Sequence, residues 1–143
     1  MDYGTCATQS ANEEITAKEN RRKLTIKNPS RKIVRKIQVD GCLPITGKRC
    51  DYMFEIMGNP TSDKICKVIY VEFKGGHTEE AYKQLIATID LFIVEHRDCK
   101  KECYIVASSV PRARTARQKL ITEMSKKKKT ELIFKSDQAV ITI

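Results

Sequence analysis

The segment Ile65–Phe73 (ICKVIYVEF) constrains the fold most strongly, because it is a nearly continuous run of apolar and β-branched residues. Such a run is typical of a strand that is buried on both faces in a parallel or mixed sheet. Gly75 and Gly76 end the run, since adjacent glycines mark turns. We therefore expect this segment to be the central strand of the protein.

The flanking segments predict a mixed α/β arrangement around that strand. After it, apolar residues from Tyr82 to His96 follow the i, i+3, i+4 spacing of an amphipathic helix, and Thr78 is expected to cap this helix. A basic helix is expected from Ser108 to about Lys126. Short β-branched segments predict the remaining strands. They are Lys32–Val39 and Arg49–Ile56, expected to form a hairpin, and Glu102–Ala107, Glu131–Phe134 and Ala139–Ile143.

The N-terminal segment predicts one more helix. Ser10-Ala11-Asn12-Glu13 has the form of a capping box, which favours a helix from Ala11 toward Lys23. The predicted order is then α-β-β-β-α-β-α-β-β, and 143 residues fit one domain. We expect a single α/β domain over residues 1–143, with a mixed central β-sheet flanked by helices and with residues 1–10 flexible.

The positive charge of the chain is concentrated in two flanks. The net charge of +9 divides into −3 for residues 1–17, +9 for 18–50, −4 for 51–98 and +7 for 99–143. Basic flanks around an acidic centre suit a protein that binds a polyanion and keeps carboxylates at one place, although a solvated basic surface is the alternative. We expect a cytoplasmic protein with no membrane contact and with its six cysteines as free thiols, because no signal peptide or apolar span is recognisable.

Two carboxylates and a lysine form the candidate site. Asp51 opens one predicted strand, and Glu72 and Lys74 lie at the carboxyl end of the central strand. Residues i and i+2 of a strand point to the same face, so Glu72 and Lys74 project together while Phe73 points into the core. A hairpin beside that strand would bring Asp51 to the same place. Such oxygen ligands can hold a hard cation and orient a water for attack on phosphorus.

This pattern resembles the PD-(D/E)XK phosphodiesterase superfamily of restriction-endonuclease-like proteins. The residues that carry the resemblance are Arg49-Cys50-Asp51 and Val71-Glu72-Phe73-Lys74-Gly75, with Cys50 where the motif has proline. Over about residues 30–110 the resemblance implies an αβββαβ core and a nuclease that uses Mg²⁺, or Mn²⁺ as a substitute. It implies that Asp51 and Glu72 bind the metal with the Phe73 carbonyl, and that Lys74 positions the attacking water.

The resemblance also implies supporting residues. Gln84 matches a glutamine that supports the site from the following helix, and Glu13, Glu14 and Glu19 are equal candidates for a further glutamate from the first helix. Four basic side chains near the start of the second predicted helix are expected to contact phosphates. They are Arg112, Arg114, Arg117 and Lys119. His77 either contacts phosphate or begins a helix.

The sequence therefore predicts a Mg²⁺-dependent DNA endonuclease that needs no organic cofactor, with RNA as an alternative substrate. A homodimer is expected by analogy with relatives of this size. One alternative is a catalytically inactive protein of the same fold that binds nucleic acid, and another is a basic module that binds an acidic protein partner. A zinc site at His96, Cys99 and Cys103 is a weaker alternative, because no Cys-x-x-Cys pair is present there.

Overall fold

The central strand organises a six-stranded mixed sheet. The computed structural model describes residues 2–58, 64–108 and 114–143. The sheet has the order β1-β4-β5-β6-β7-β8, in which β6 is the predicted central strand. Its strands are β1 (Ala7–Ser10), β4 (Val34–Gln38), β5 (Tyr52–Met57), β6 (Ile65–Lys74), β7 (Lys100–Ala107) and β8 (Glu131–Ser136). The strands β6, β7 and β8 run parallel, and β5 pairs with β6 antiparallel, so the predicted mixed sheet and the β4–β5 hairpin are confirmed.

Two helices cover one face of this sheet. Helix α1 (Thr78–Leu91) connects β6 to β7, and helix α2 (Arg114–Lys128) precedes β8. Buried side chains of both helices pack with alternate residues of the strands, including Met53, Tyr70 and Ile105. Thr78 was expected as the cap of α1, but it is the first helical residue and His77 occupies the N-cap position. The basic helix was expected from Ser108, but Ser108 forms a bend after β7, and residues 109–113 lie outside the described residues.

A second, three-stranded sheet covers the other face. It contains β2 (Glu14–Glu19), β3 (Arg22–Lys27) and β9 (Ala139–Thr142) in the order β2-β3-β9. Apolar residues of this sheet pack against the opposite side chains of the central strands, such as Phe54, Val71 and Phe73. The protein is thus a mixed α/β domain of three layers. We expected a sheet flanked by helices, and helices cover one face of it, while β2, β3 and β9 occupy the second face.

The prediction of a first helix from Ala11 toward Lys23 was wrong, because this segment forms two strands. Residues Glu14–Lys27 form an antiparallel hairpin in which Ile15, Ala17 and Leu24 are buried. The alternation of Ile15 and Ala17 with polar neighbours follows the strand period of two, and packing on the central sheet favours it over the helical reading. The hydroxyl of Ser10 accepts a hydrogen bond from the Asn12 amide, which makes a local turn in place of a helix cap.

The N-terminal segment joins the fold through a disulfide. Residues 2–10, which we expected to be flexible, include a short 3-10 helix and the strand β1, and Tyr3 is buried. Cys6 is bonded to Cys42, so the expectation that all cysteines are free thiols was wrong for this pair. The two residues are 36 positions apart, and folding brings them together through the pairing of β1 with β4. Cys50, Cys66, Cys99 and Cys103 are free.

A buried polar network lies beneath this segment. Glu55 is fully buried, and its carboxylate accepts hydrogen bonds from the hydroxyl of Tyr3 (2.8 Å), Nε2 of His96 (2.6 Å) and Nη1 of Arg35 (2.8 Å). The other ring nitrogen of His96 is hydrogen-bonded to the hydroxyl of Tyr70 at 2.7 Å. Burial by itself raises the pKa of Glu55, but the hydrogen bonds from His96 and Tyr3 outweigh it and the pKa lies below its usual value. These partners satisfy the carboxylate where it is buried.

The Cys6–Cys42 disulfide gives a first testable prediction. Alkylation of the denatured, unreduced protein should label the four free cysteines, and prior reduction should raise the number to all six. Because the bond closes a loop of 36 residues, its reduction should lower the free energy of unfolding by about 3–4 kcal/mol. Mass spectrometry and urea unfolding with and without reductant measure both effects. Labelling of six cysteines without reduction would contradict the bond.

Candidate active site

Asp51 and Glu72 lie side by side at the carboxyl end of β6. Tyr52 pairs with Val71 in the antiparallel register of β5 and β6, so Asp51 lies opposite Glu72 one step further along. Both carboxylates are buried, with Asp51 7% and Glu72 2% exposed. The ammonium of Lys74 lies 3.5 Å from Oε2 of Glu72 and 3.8 Å from Oε1 of Glu80. The structure thus brings together the three residues that the sequence placed in the catalytic motif.

Backbone hydrogen bonds hold Asp51 in place. Its Oδ2 accepts a hydrogen bond from the amide of Phe73 at 2.9 Å, and its own amide donates to the carbonyl of Val71 at 3.2 Å. Its carbonyl accepts from the amides of Val39 and Asp40. The side chain of Phe73 is buried on the opposite face, between the two sheets, as the alternation predicts. The use of the Phe73 carbonyl as a metal ligand stays a prediction.

Helix α1 positions the chain that leads into Asp51. Gln84 Nε2 donates to the carbonyl of Arg49 at 3.2 Å, which agrees with the predicted supporting role of Gln84 at this end of the sheet. The buried Thr88 hydroxyl accepts from the amide of Cys50 at 2.7 Å and donates to the carbonyl of Gln84 at 2.9 Å. Thr88 was missed by the sequence analysis. The available signal was its position one helical turn after Gln84, on the same face of the helix.

Glu72 is the less satisfied of the two carboxyl groups, because one of its oxygens has no hydrogen-bond partner among the described residues. Burial raises the pKa of Glu72 to about 9, the negative charge of Asp51 adds to this increase, and Lys74 opposes it. Burial also raises the pKa of Asp51, while the hydrogen bond from Phe73 lowers it. Oε1 of Glu72 and Oε1 of Gln84 are buried and have no hydrogen-bond partner among the described residues. Unpartnered buried oxygens beside paired carboxylates are the environment that a bound cation would satisfy.

This donor set fits a magnesium ion better than a zinc ion. Mg²⁺ takes oxygen ligands, often only one or two protein carboxylates, and keeps several waters. In residues 2–58, 64–108 and 114–143 no group of three or more His, Cys, Asp or Glu side chains is arranged to hold a metal. The zinc alternative receives no support there. His96 is hydrogen-bonded to Glu55 and Tyr70, Cys99 is hydrogen-bonded to the carbonyl of Ile65, and Cys103 is buried in the core.

The structure separates the three candidate glutamates. Glu13 pairs with Arg31, and Glu14 pairs with Lys27 across the β2–β3 hairpin. Glu19, at the end of β2, lies near enough for its charge to raise the pKa of both Asp51 and Tyr52. Glu19 is therefore the one of the three whose charge acts on Asp51, and it does so from the strand β2, because this segment forms a hairpin in place of the expected helix.

The predicted phosphate-binding residues are only partly described. Arg112 lies outside the described residues. Arg114 and Lys119 are exposed on α2, and Arg117 has a buried Nε with no hydrogen-bond partner in the described part of the chain. Their contact with phosphate stays a prediction. His77 begins α1, since its carbonyl accepts the first helical hydrogen bond, from the amide of Ala81.

The raised pKa of Glu72 predicts how the stability of the metal-free protein depends on pH. Between its ordinary pKa of 4.5 and about 9, the folded state keeps this carboxyl protonated and the unfolded state does not. Stability should therefore fall as the pH rises through this interval, by at most roughly 1.4 kcal/mol per pH unit for this group. Glu72→Gln should flatten the slope and be more stable than wild type at pH 8. Urea unfolding in chelator measures this, and an unchanged slope would contradict it.

Comparisons of the chain with protein-family models, with curated proteins and with solved structures give no match. In the described residues, neither helix has the length and apolar character needed to cross a membrane. The established description is thus a mixed α/β domain with a buried carboxylate pair and a lysine at the carboxyl end of its central strand.

Proposed function

We propose that this protein is a Mg²⁺-dependent endonuclease that hydrolyses phosphodiester bonds in DNA. The observation that carries the proposal is the juxtaposition of Asp51 and Glu72, both buried, with an unpartnered oxygen on Glu72 and with Lys74 beside it. Two adjacent buried carboxylates repel each other and lose hydration, so they destabilise the fold unless a ligand or proton compensates. Buried carboxyl pairs with shifted pKa values of this kind are found most often at functional sites.

The division of roles follows from the contacts of each residue. Asp51 and Glu72 would hold the ion, which when bound polarises a phosphoryl oxygen and lowers the pKa of water. Asp51 is fixed by the Phe73 amide and so presents one carboxylate oxygen in a constant position. Lys74 lies between Glu72 and the more exposed Glu80, and its ammonium would donate a hydrogen bond to the attacking water.

The element order supports a restriction-endonuclease-like core. From Val34 onward the chain runs β4-β5-β6-α1-β7, which is the βββαβ part of the core that the resemblance implies. The departure is the first element, where β2 and β3 stand in place of a helix. In this proposal Glu19 takes the place of the glutamate expected from that helix, because its charge reaches Asp51.

The basic flanks supply the affinity for DNA in this proposal. Residues 18–50 carry a net charge of +9, and they include the turn and the second strand of the hairpin that borders the site. Phosphate neutralisation by such residues drives binding that weakens with salt. We further propose a homodimer, since one small domain presents one site and cutting both strands of a duplex calls for two.

A catalytically inactive nuclease-fold protein that binds nucleic acid is the second candidate. The observation that favours it is the small number of ligands, because no group of three or more metal-ligating side chains occurs among the described residues. Such a protein would bind DNA with or without the metal and leave it intact.

Cleavage of a labelled substrate panel tests the proposed function. Linear duplex, nicked plasmid, branched junction, single strand and RNA are incubated with the protein in Mg²⁺ or Mn²⁺, with chelator as the blank. Wild type should cut DNA, and Asp51→Asn and Lys74→Ala should each lower the rate by about 100-fold or more, while DNA binding persists.

The matched control for this assay is Asp90→Asn. It makes the same chemical change at an exposed carboxylate that pairs with Lys128 on the far part of α2. Its cleavage rate should equal that of wild type. DNA binding without cleavage of any substrate would favour the inactive candidate, and cleavage that survives Asp51→Asn would contradict the assignment of the site.

A further inference from the structure

The turn of the β2–β3 hairpin lies at the carboxyl ends of β6 and β7, next to the candidate active site. Glu19 pairs with Arg22, so Asn20 and Arg21 form a two-residue turn in which Asn20 has a left-handed backbone (φ 56°). The side chain of Gln138 donates to the carbonyl of Arg21 at 3.1 Å and supports the turn from the β8–β9 connection.

Arg22 anchors this turn to the ends of the central strands. Its Nε donates to the hydroxyl of Ser108 at 3.0 Å, and the Ser108 amide donates to the carbonyl of Lys74 at 3.2 Å. On the other side, Nη2 of Arg22 lies 3.2 Å from the position that a Cβ would occupy on Gly75. The guanidinium therefore passes directly beside Lys74 and Gly75, where β6 ends.

The hydrogen-bonding capacity of this guanidinium is largely unused. Among the described residues, only Nε has a hydrogen-bond acceptor, which is Ser108. The half-exposed carboxylate of Asp137 lies 3.8 Å from Nε, too far for a hydrogen bond and of small energetic value at this exposure. The two terminal amino groups of an arginine form a planar fork that matches two oxygens of one phosphate.

A cleft surrounds this guanidinium and opens beside the site. Its lining residues are Asn20, Arg21, Arg22, Ser108 and Asp137. Two arginines, one side-chain amide and one hydroxyl provide hydrogen-bond donors to this cleft. The negative charge of Asp137 is the one group of the lining that repels an anion. Because Arg22 is held by Ser108 and is only 18% exposed at its side chain, little conformational freedom is lost when it binds.

We propose that this cleft binds a backbone phosphate of the DNA next to the phosphodiester that is cut. Arg22 contacts the phosphate through its two terminal amino groups, Arg21 adds a second positive charge, and Ser108 is a positioning residue that orients Arg22. The inference rests on the proposed nuclease function for the identity of the ligand. It gives the β2–β3 hairpin a substrate-binding role at the same edge of the sheet as Asp51, Glu72 and Lys74.

The salt dependence of DNA binding tests this inference. Duplex DNA is titrated with the full-length protein in chelator, so that no cleavage occurs, between 50 and 200 mM salt. Arg22→Ala should weaken binding by about tenfold and reduce the slope of log K against log salt by about 0.9, the value for one lost phosphate contact. Arg22→Lys should keep the slope and lose part of the affinity, because lysine keeps the charge without the fork.

Two further variants test whether the effect of Arg22→Ala comes from loss of this contact, and not from loss of a positive charge in general or from misfolding. Arg97→Ala removes one exposed arginine outside the basic flanks, just before β7 and so at the opposite edge of the sheet, and should leave the slope unchanged. Gly75→Ala keeps every charge and makes the Arg22 guanidinium shift slightly, so any change it causes in binding should disappear in the Arg22→Ala background. Thermal unfolding of each variant checks the fold.

The outcomes distinguish this inference from the proposed function. An Arg22→Ala slope equal to that of wild type overturns the phosphate contact even if the protein cuts DNA. A reduced slope in a protein that never cuts DNA supports the contact and rejects the nuclease activity. Absence of DNA binding at 50 mM salt overturns both.

Discussion

The pairing of β6 on both sides is the constraint on which the rest of the structure depends. It joins β5 antiparallel and β7 parallel, so the start of β5 and the ends of β6 and β7 meet at one edge of the sheet. Asp51, Glu72 and Lys74 occupy this edge, α1 begins there, and the β2–β3 hairpin turns across it. A shift of one residue in the β5–β6 register would place Glu72 on the opposite face from Asp51 and separate the two carboxylates.

Two buried glutamates on neighbouring strands differ in how well their carboxyl groups are hydrogen-bonded, one in the interior of the sheet and one at this edge. Glu55 and Glu72 both project toward the helical face, but only Glu55 has a full set of donors, from Tyr3, Arg35 and His96. The pKa of Glu55 therefore lies below its usual value, while that of Glu72 is raised to about 9. Glu55 therefore keeps its charge inside the protein, whereas Glu72 has an oxygen that a cation would satisfy in the proposed function.

Local patterns made much of this arrangement predictable. The apolar run of β6, the helical spacing at the start of α1 and the alternation of side chains along β6 are properties of short segments, and they were confirmed. The predicted extent of α1 was wrong, because the helix ends at Leu91 and Phe92, Ile93 and His96 lie in the turns that follow it. The juxtaposition of Asp51 with Glu72 was predicted on the condition that the β4–β5 hairpin lies beside β6, and β5 does pair with β6. The bond between Cys6 and Cys42 was not predictable, because it depends on the pairing of β1 with β4 and not on any local pattern.

The same limit explains the error in the N-terminal segment. A capping-box pattern at Ser10 favoured a helix, and only the packing of Ile15, Ala17 and Leu24 against the second face of the sheet selects strands there. Arg22 consequently received no role from the sequence, since its place beside Gly75 and Ser108 exists only in the hairpin. His96 likewise gained its partners, Glu55 and Tyr70, from distant strands.

Direct measurement of divalent-cation binding tests the central claim, that Asp51 and Glu72 together form a cation site. Mn²⁺ is titrated calorimetrically into the wild-type protein and into Asp51→Asn, Glu72→Gln and the control Asp90→Asn, with no DNA present. We expect one Mn²⁺ per protein chain in wild type and in Asp90→Asn, and loss of binding in the other two variants. Binding that survives Asp51→Asn and Glu72→Gln, or no binding to wild type at millimolar Mn²⁺, would contradict it.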